Sequence, residues 1–584
     1  MQFLADLHVH SKYSRATAAN LDLENLYIAA QVKGITLIGT GDFTHPAWWG
    51  DIQEKLVSAE EGLFQLRSDL ARHCDQFVPA SCRRPVRFML ATEISNIYKK
   101  DDRTRKNHNL VFMPTIESAE RLIRRLDAIG NIVSDGRPIL GLDARNLLEI
   151  VLETHDQGFL IPAHIWTPWF SLLGSKSGFD AVEACFGDLT DHIFALETGL
   201  SSDPPMNRRV SALDRYTLIS NSDAHSPSKI GREANCFDTA LNYPSIYDAM
   251  RTADPEKFLG TIEFYPEEGK YHVDGHRKCG FHCFPEETRR LQGLCPHCGK
   301  PLTLGVLYRV EELADRPKTE VPADSVSFSS LIPLTDLLSE VLDVGPATKT
   351  VKAAYGRLIQ AIGPEFEILC NTPLEALEAC CMPLLGEAIR RMRKNDLSFD
   401  PGFDGQFGRL RIFKSGERQD LYGQQCLFGV NGTENSEKTL PQKNTKQLLT
   451  GIWGTPEMPA FTLNDPPKPY PRAEIQLNAD QRRAVDAGTG PLLIRAGPGT
   501  GKTCTITCRM AALLDNGITH ADQLLAVTFT HQAAAEMRHR LETMLKTSLS
   551  LPRMTTFHGF CLHLLKEVYG DQCGTVLDES GRLA

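Results

Sequence analysis

Residues 5–14 read ADLHVHSKYS, and residues 220–227 read SNSDAHSP. In the first stretch an apolar run, 3–10, ends in His8 and His10. Side chains alternate along a strand, so two histidines two residues apart share one face and can grip one cation. The second stretch ends a strand candidate, 216–225, with Asp223 and His225 in the same spacing. Between these ends five more strand candidates follow: 36–43, 87–95, 108–114, 158–165 and 193–199. Helical patterns fall between most of them, for example 21–33 and 119–129. Such β–α alternation predicts a parallel sheet, closed as a barrel or doubly wound. In barrels of this kind reactive residues gather at the C-terminal strand ends. The ends here carry His8 and His10, Asp42, Glu93, His164, Glu197, and Asp223 with His225. Packing alone gives no reason for apolar strands to end repeatedly in His, Asp or Glu.

The expected metal ligands are His8, His10, Asp42, His45, Glu93, His108, His164, Asp223 and His225. Asp223, Glu93 and Asp42 are the expected catalytic carboxylates, with Glu93 as a bridging ligand. His108 opens its strand rather than ending it, and Glu197 reads equally as a ligand, a substrate contact or a structural residue. A mixed imidazole–carboxylate set suits zinc, manganese or iron. Clustered divalent ions, zinc, manganese or magnesium, bind phosphate, activate water and stabilise a leaving oxygen.

These motifs, in this order, resemble the PHP family of phosphoesterases over residues 1–265. The resemblance implies a distorted (β/α) barrel. Arg15 follows Ser14 where many PHP domains place an acid, and Phe43 follows Asp42 where the second motif is usually T-D-H, leaving His45 as a displaced candidate. The phrases ADLHVHSKYS, GTGDFTHPAW (39–48), LETGLSSDPPMN (196–207) and SNSDAHSP resemble the endonuclease Q family of DNA-repair nucleases more closely. That resemblance continues to residue 413 through CPHCGKPLTLGVLYRVEELADRP (295–317) and DPGFDGQFGRLRIF (400–413). It implies an endonuclease that cuts the phosphodiester 5′ of a deaminated base (hypoxanthine, uracil) or an abasic site. Recognition of this kind requires the lesion to leave the stack.

The chain has 584 residues, 42% hydrophobic and 23% charged, with a net charge of −10. This is ordinary globular composition and does not by itself advertise nucleic-acid binding. No apolar run reaches the roughly 18 residues of a membrane span, and the N-terminus lacks the pattern of a secretory signal. A cytoplasmic, nucleoid-associated protein is expected. Sixteen scattered cysteines then fit thiols and a zinc site better than disulfides.

Outward from the barrel, residues 266–320 are expected to form a small zinc ribbon. Cys279, Cys283, Cys295 and Cys298 read C-x3-C and C-x2-C, with His282 and His297 as alternative ligands. Residues 321–413 are expected to form a helical DNA-binding module, in which VLDVGPATKT (341–350) is a helix–helix turn. Lys99, Lys100, Arg103 and Arg105, in the loop IYKKDDRTRKN (97–107), and Arg390 and Arg391 are candidate contacts to a DNA backbone. Residues 414–472 have linker composition. Residues 473–584 resume an α/β pattern around AGPGTGKT (496–503), a P-loop after the apolar strand PLLIR. Gln481, Gly499, Gly501, Lys502 and Thr503 are the expected contacts to ATP and its magnesium. LNADQ (477–481), LAVTFTHQAAAEMRHRL (525–541) and TTFHGFCLHLL (555–565) resemble UvrD-type superfamily I DNA helicases. LDES (577–580) is not a Walker B motif, because no apolar strand leads into it. Without the metal-holding and charge-stabilising parts of a motor, nucleotide binding but no unwinding is expected of this chain.

The leading reading is therefore a lesion-directed, metal-dependent DNA endonuclease with a fused partial helicase. The alternatives are a PHP phosphoesterase acting on a small phosphate ester, which would need neither zinc module nor basic clusters, and a non-catalytic DNA-binding repair adaptor. In the linker, Gln424, Leu427 and Phe428 fit Q-x-x-L-F, which resembles peptides that plug into bacterial sliding clamps. Replacing Leu427 and Phe428 by alanine is expected to abolish capture of the chain by immobilised clamp; capture at the wild-type level contradicts that reading.

Overall fold

The computed structural model describes residues 1–317, 326–378, 382, 384–414, 416–418 and 421. Toward the C-terminus it describes 477, 479–487, 492, 494, 502–528, 531–545, 551–557, 559–561 and 564. The clamp-like peptide and the P-loop glycines Gly499 and Gly501 lie outside the described residues, as do the side chains of Lys502 and Thr503. Two units are present, Met1–Pro459 and Ala460–Ala584. The metal-bearing, cysteine-rich and helical segments all belong to the first.

In the first unit the strands in chain order are β1 Gln2–Asp6, β2 Leu37–Gly39, β3 Leu56–Ser58, β4 Phe64–Leu66, β5 Arg87–Lys100, β6 Arg103–Met113, β7 Ile139–Leu140 and β8 Phe159–Pro162. β9 Ala195–Glu197, β10 Thr217–Ile219, β11 Ala234–Asp238 and β12 Phe258–Glu263 follow. β1, β2 and β5 run parallel to one another. β11 lies antiparallel on the other side of β1, with β12 beyond it. β6 pairs antiparallel with β5 and with β8, and β9 and β10 pair parallel. Backbone hydrogen bonds extend the chain of neighbours past the strand ends. Ile165 N–H donates to Glu197 O at 3.1 Å, Thr198 N–H to Ile219 O at 2.9 Å, and His10 N–H to Ala224 O at 3.1 Å, returning to the end of β1.

The expected uniformly parallel sheet fails at β5 and β6. Their connection is only Asp101 and Asp102, both with left-handed φ (52° and 55°). Two residues of positive φ make a tight hairpin, whereas a parallel crossover needs a dozen or so. The stretch expected as a loop, 97–107, is therefore the far half of a long β-ribbon in which Ser95 faces His108.

The mixed core explains why polar side chains collect at one end. Phe3, Ala5, Leu37, Met89, Ala91, Leu110, Phe112, Phe159, Ile161, Ala195 and Ile219 form one buried apolar cluster. Glu93 continues the Met89–Ala91 row and His108 continues the Phe112–Leu110 row, by the period of two. Apolar filling thus gives way to ionisable groups within one residue step. Close backbone approach at this end demands glycine. A Cβ on Gly41 (φ +61°) would lie 2.3 Å from Val9 O. The first helix, Leu23–Lys33, is capped by Asp22, whose side chain accepts from Asn25 N–H, and ends on Gly34 at φ 97°.

β13 Asp274–His276 and β14 Phe281–Cys283 make an antiparallel hairpin in the cysteine-rich segment. The buried Arg309 ties that segment to the preceding domain, donating to Leu173 O at 3.0 Å and Phe179 O at 3.1 Å. Beyond it come helices Leu334–Leu342, Lys349–Ala361, Leu374–Glu378 and Leu385–Arg393, and the ribbon Ser398–Asp400 with Arg409–Arg411. The segment VLDVGPATKT is a helix–turn–helix: Asp343 closes one helix in left-handed conformation and the Thr348 side chain caps the next. In the second unit, strands Leu525–Thr528 and Arg553–Thr556 pair in parallel, with helices Lys502–Asp515 and His531–Met544 before and between them. Among the described residues no helix is long and apolar enough to cross a membrane.

One buried ion pair locks the helical segment to the first helix. Lys33 Nζ donates to Glu365 Oε2 at 2.6 Å, with the side chains 4% and 5% exposed. Glu365 also accepts from Leu334 N–H at 2.9 Å and from Tyr355 OH at 2.8 Å. Glu365→Ala strands a buried ammonium and is expected to cost about 3–5 kcal/mol. Equilibrium denaturation followed by tryptophan emission reads this; a loss below about 1 kcal/mol contradicts the assignment.

Candidate metal centre

His8 and His10 emerge where β1 ends, and each is held from behind by a carboxylate. His8 Nδ1–H donates to Glu197 Oε1 at 3.0 Å. Glu197 is itself fixed by His164 N–H at 2.8 Å and Asn221 Nδ2–H at 2.9 Å. His10 Nδ1–H donates to Asp42 Oδ1 at 3.1 Å, and Asp42 Oδ2 accepts from Ser11 N–H and Oγ–H, both at 2.7 Å, and from Ser14 Oγ–H at 2.8 Å. A carboxylate on one imidazole nitrogen sets the tautomer and turns the other nitrogen's lone pair outward.

Those outward nitrogens converge on Glu93, which is 2% exposed. Its Oε2 lies 3.6 Å from His8 Nε2 and 3.4 Å from His10 Nε2. Asp223 Oδ1 completes this group, 3.0 Å from His10 Nε2 and 3.6 Å from His8 Nε2. The other oxygen of Glu93, Oε1, lies 2.7 Å from His108 Nδ1 and 3.2 Å from His164 Nε2. Glu93 is thereby shared between two sets with metal-ligand spacing: His8, His10, Glu93 and Asp223, and Glu93, His108 and His164. His8 Nε2 is buried and has no hydrogen-bond partner among the described residues. An orphaned buried nitrogen among carboxylate oxygens fits a divalent cation by both charge and donor type.

The electrostatics point the same way. Burial pulls His8 and His10 toward neutrality. For His8 the carboxylates of Glu197, Glu93 and Asp223 overcome it and hold the pKa well above its ordinary value. For His10, Asp42 and Asp223 overcome it and push it up to about 9. Burial raises Glu93, but His108, Arg137 and His8 hold it well below the usual carboxylate range; Asp223 is likewise held low by His8 and His10. At His108 burial wins over Glu93 and brings the imidazole down to about 4. The hollow attracts cations and leaves His108 neutral. Three of its residues, Asp42, His164 and Asp223, hold left-handed backbone at φ 47°, 31° and 46°. Such strain in residues other than glycine gathers at functional sites.

His8, His10, Glu93, His108, His164 and Asp223 are brought together; Asp42, His45 and His225 stand outside both sets. Asp42 supports His10 instead of reaching the centre. His45 caps helix Pro46–Lys55, which turns its ring away to Val133 O at 3.0 Å and onto Tyr13 at 4.6 Å. His225 lies at the rim with its Nδ1 on Asp223 O at 2.9 Å and its ring 4.6 Å from His10. His108 gains the importance that its place in the sequence seemed to deny it. Its strand runs antiparallel, so the beginning of β6 lies at the same end as the C-termini of β2 and β5. Arg137, absent from the expectations, donates to Glu93 Oε2 at 3.0 Å. No spacing in SDGRP (134–138) marks it.

In the cysteine-rich segment the structure groups His276, Cys279, Cys295 and Cys298 and leaves Cys283 out. Cys283 faces Asp274 at the far end of the hairpin, buried against Thr288 Oγ1 at 3.2 Å, while His276 lies next to the turn with Nδ1 3.3 Å from Cys298 Sγ. The ligand spacing is then H-x2-C with C-x2-C, two like knuckles, instead of the unequal C-x3-C and C-x2-C. His282 stacks on Phe403 and His297 meets the edge of Phe281.

The basic candidates divide. Lys99 and Arg103 are exposed at the tip of the β5–β6 ribbon. Lys100 donates to Cys185 O at 3.0 Å, and Arg105 is buried on the ring of Phe179 with a hydrogen bond to Gly178 O. Arg390 and Arg391 both bind Glu387, and Arg391 also binds Glu417. Arg105, Arg390 and Arg391 are thus paired within the fold and Lys100 donates to a carbonyl, whereas Lys99 and Arg103 stand exposed.

Residues 477–574 match the UvrD/REP helicase N-terminal domain, and residues 333–396 match the MJ0043 C-terminal domain. The uncharacterized protein MJ0043 of Methanocaldococcus jannaschii is 32% identical over 253 residues, 42% of this chain and 31% of that one. The helicase PcrA of Staphylococcus epidermidis is 42% identical over 90 residues, only 12% of its length. The uncharacterized protein YqxK of Bacillus subtilis is 30% identical over 420 residues, covering 70% of this chain and 98% of that one. Among solved structures, the lesion-specific endonuclease PfuEndoQ of Pyrococcus furiosus superposes with TM-score 0.62 at 30% identity, covering 70% of this chain and 96% of that one. Endonuclease Q bound to a 27-mer duplex with an abasic lesion at the active site superposes with TM-score 0.61 at 29% identity, covering 71% of this chain and 98% of that one. Coverage of nearly the whole of YqxK and of PfuEndoQ at 30% identity shows that the chain belongs to the endonuclease Q family, with the N-terminal part of a UvrD/REP-type helicase joined to it.

Proposed function

We propose that this chain is a metal-dependent DNA endonuclease that hydrolyses the phosphodiester 5′ of a deaminated base, hypoxanthine or uracil, or of an abasic site. The observation that carries the reading is Glu93, a buried carboxylate shared by two histidine-containing ligand sets beside the unpartnered His8 Nε2. The similarity to an endonuclease whose complex holds an abasic duplex at its active site supplies the substrate class. His8, His10, Glu93 and Asp223 would hold one divalent cation, and Glu93, His108 and His164 a second. Zinc, manganese or magnesium bound there would supply Lewis acidity to a phosphate oxygen and would make a water more acidic. Glu197 and Asp42 keep the rings of His8 and His10 aimed at the centre. Arg137 places a guanidinium at the same carboxylate, where it can turn to a phosphate oxygen of the substrate. Lys99 and Arg103 are left as backbone contacts at the ribbon tip.

His276, Cys279, Cys295 and Cys298 form, on this reading, a closed structural zinc site that positions DNA without chemistry of its own. Gln481, Gly499, Gly501, Lys502 and Thr503 bind ATP and magnesium, and a sliding clamp engages Gln424, Leu427 and Phe428.

End-labelled duplexes carrying one hypoxanthine, uracil, abasic site or normal base test the activity in magnesium, manganese or zinc. A nick 5′ of the lesion is expected, lost by at least about 100-fold in Asp223→Ala and reduced about 10- to 100-fold in Glu197→Ala, which removes the carboxylate behind His8 and under His164 N–H while leaving the ligands themselves in place. Absence of any nick, with hydrolysis of a simple phosphomonoester instead, moves the assignment to a small-molecule phosphatase. For the second site, zinc content measured by mass spectrometry of the intact metalloprotein is expected to fall in His276→Ala and to persist in Cys283→Ala. The opposite pattern restores the four-cysteine site.

A further inference from the structure

The loop that leaves the metal centre holds an indole out in solvent. After His164 the chain reads IWTPWFSLLG, 165–174. Trp166 turns inward, fully buried, and donates its Nε1–H to Asn207 Oδ1 at 2.7 Å. Trp169, three residues later, is 40% exposed. A lone exposed apolar residue is ordinary. Trp169 differs in how its neighbours fix it to the site. The Thr167 hydroxyl lies 3.3 Å from His164 Nδ1 and donates to Trp169 O at 3.0 Å. On its other side Phe170, at the strained φ of 62°, sets its ring 4.9 Å from that of His108 and donates its N–H to Ser177 Oγ at 3.2 Å. Thr167, two residues before Trp169, and Phe170, directly after it, thus contact histidines of the second ligand set.

A second segment braces the indole from the side. Tyr271 meets Trp169 edge-on at 5.6 Å. The adjoining Lys270 places Nζ 4.5 Å from the ring of Phe407, which is 68% exposed, and its carbonyl accepts from Gly405 N–H at 3.0 Å. An exposed indole held by contacts to the second ligand set and braced by Tyr271, whose neighbour Lys270 carries an ammonium, matches the chemistry of an unstacked nucleobase. Every base offers a π-face, and stacking on an aromatic side chain tolerates any sequence. A peptide or a lipid would gain nothing from the adjacent carboxylate–histidine hollow.

We propose that Trp169, braced by Tyr271, is a stacking platform for a nucleobase displaced from the duplex beside the scissile phosphate. The proposal rests on the DNA-endonuclease reading and adds to it the residue that holds the displaced base. Trp169 is a positioning residue; it holds no metal and moves no proton.

Binding of the full-length protein to a duplex with a central uracil mispair, in chelator so that no strand is cut, tests it. Trp169→Ala is expected to bind roughly 10- to 100-fold more weakly. The slope of log affinity against log salt should stay unchanged, because no phosphate contact is lost. Trp169→Phe, which keeps a π-face, should return affinity to within about threefold of wild type. With divalent ions restored, the Ala variant should raise KM more than it lowers kcat. Wild-type affinity in Trp169→Ala, or a loss in Trp169→Phe as large as in Trp169→Ala, overturns the proposal while leaving the nuclease reading intact. A wild-type protein that neither binds nor nicks the duplex overturns the nuclease reading itself, and the platform with it.

Discussion

A carboxylate buried at the meeting point of four histidines and an arginine is the constraint around which the first unit is arranged. Glu93 is almost wholly removed from water. An isolated charge in that position would cost several kcal/mol or more, so it persists only with compensating partners on every side. His8 and His10 come from the end of β1, His108 from β6, His164 from the end of β8, and Arg137 from the loop before β7. Each of those segments must therefore arrive at the same end of the sheet. The strained backbone at Asp42, His164 and Asp223 and the close approach at Gly41 are the local consequences. Residues arranged so are held against their own conformational preference, which is how a preorganised site is kept ready for its ligand.

The outer ring of carboxylates explains why two of the acids visible in the sequence are not at the centre. Glu197 and Asp42 each use their oxygens on an imidazole and on neighbouring N–H or O–H groups. They have little left to offer a cation. Their work is to fix which nitrogen of His8 and His10 faces inward, and a metal site depends on that second layer as much as on the ligands.

Much of this was legible in the sequence. The H-x-H and D-x-H pairs and His164 stand just past strand ends, Glu93 lies within the long β5, and period-two alternation along the strands helps bring them to one mouth. What stayed hidden depends on strand direction and on turns. The order of strands gave no sign that β6 reverses, so His108 looked misplaced; the only local cue was the Asp101–Asp102 pair, a tight turn instead of a crossover. His45 stands displaced from the usual motif position, and helix Pro46–Lys55 starts there and takes its side chain elsewhere. The grouping of His276 with Cys279, Cys295 and Cys298 was open to a stricter reading of spacing, since H-x2-C and C-x2-C match. The arginines near residue 390 read as one basic cluster in the sequence; in the fold Arg390 and Arg391 pair with Glu387 and Glu417, and Arg393 donates to the carbonyls of Leu369 and Thr372.

The account stands or falls on whether ions occupy the two sets that share Glu93. Anomalous diffraction from crystals of the full-length protein grown with manganese or zinc would locate them. The account predicts one peak among His8, His10, Glu93 and Asp223, a second among Glu93, His108 and His164, and Arg137 moved off Glu93. Peaks at Asp42 and His45 instead, or no peak at the first unit's strand ends, would contradict it.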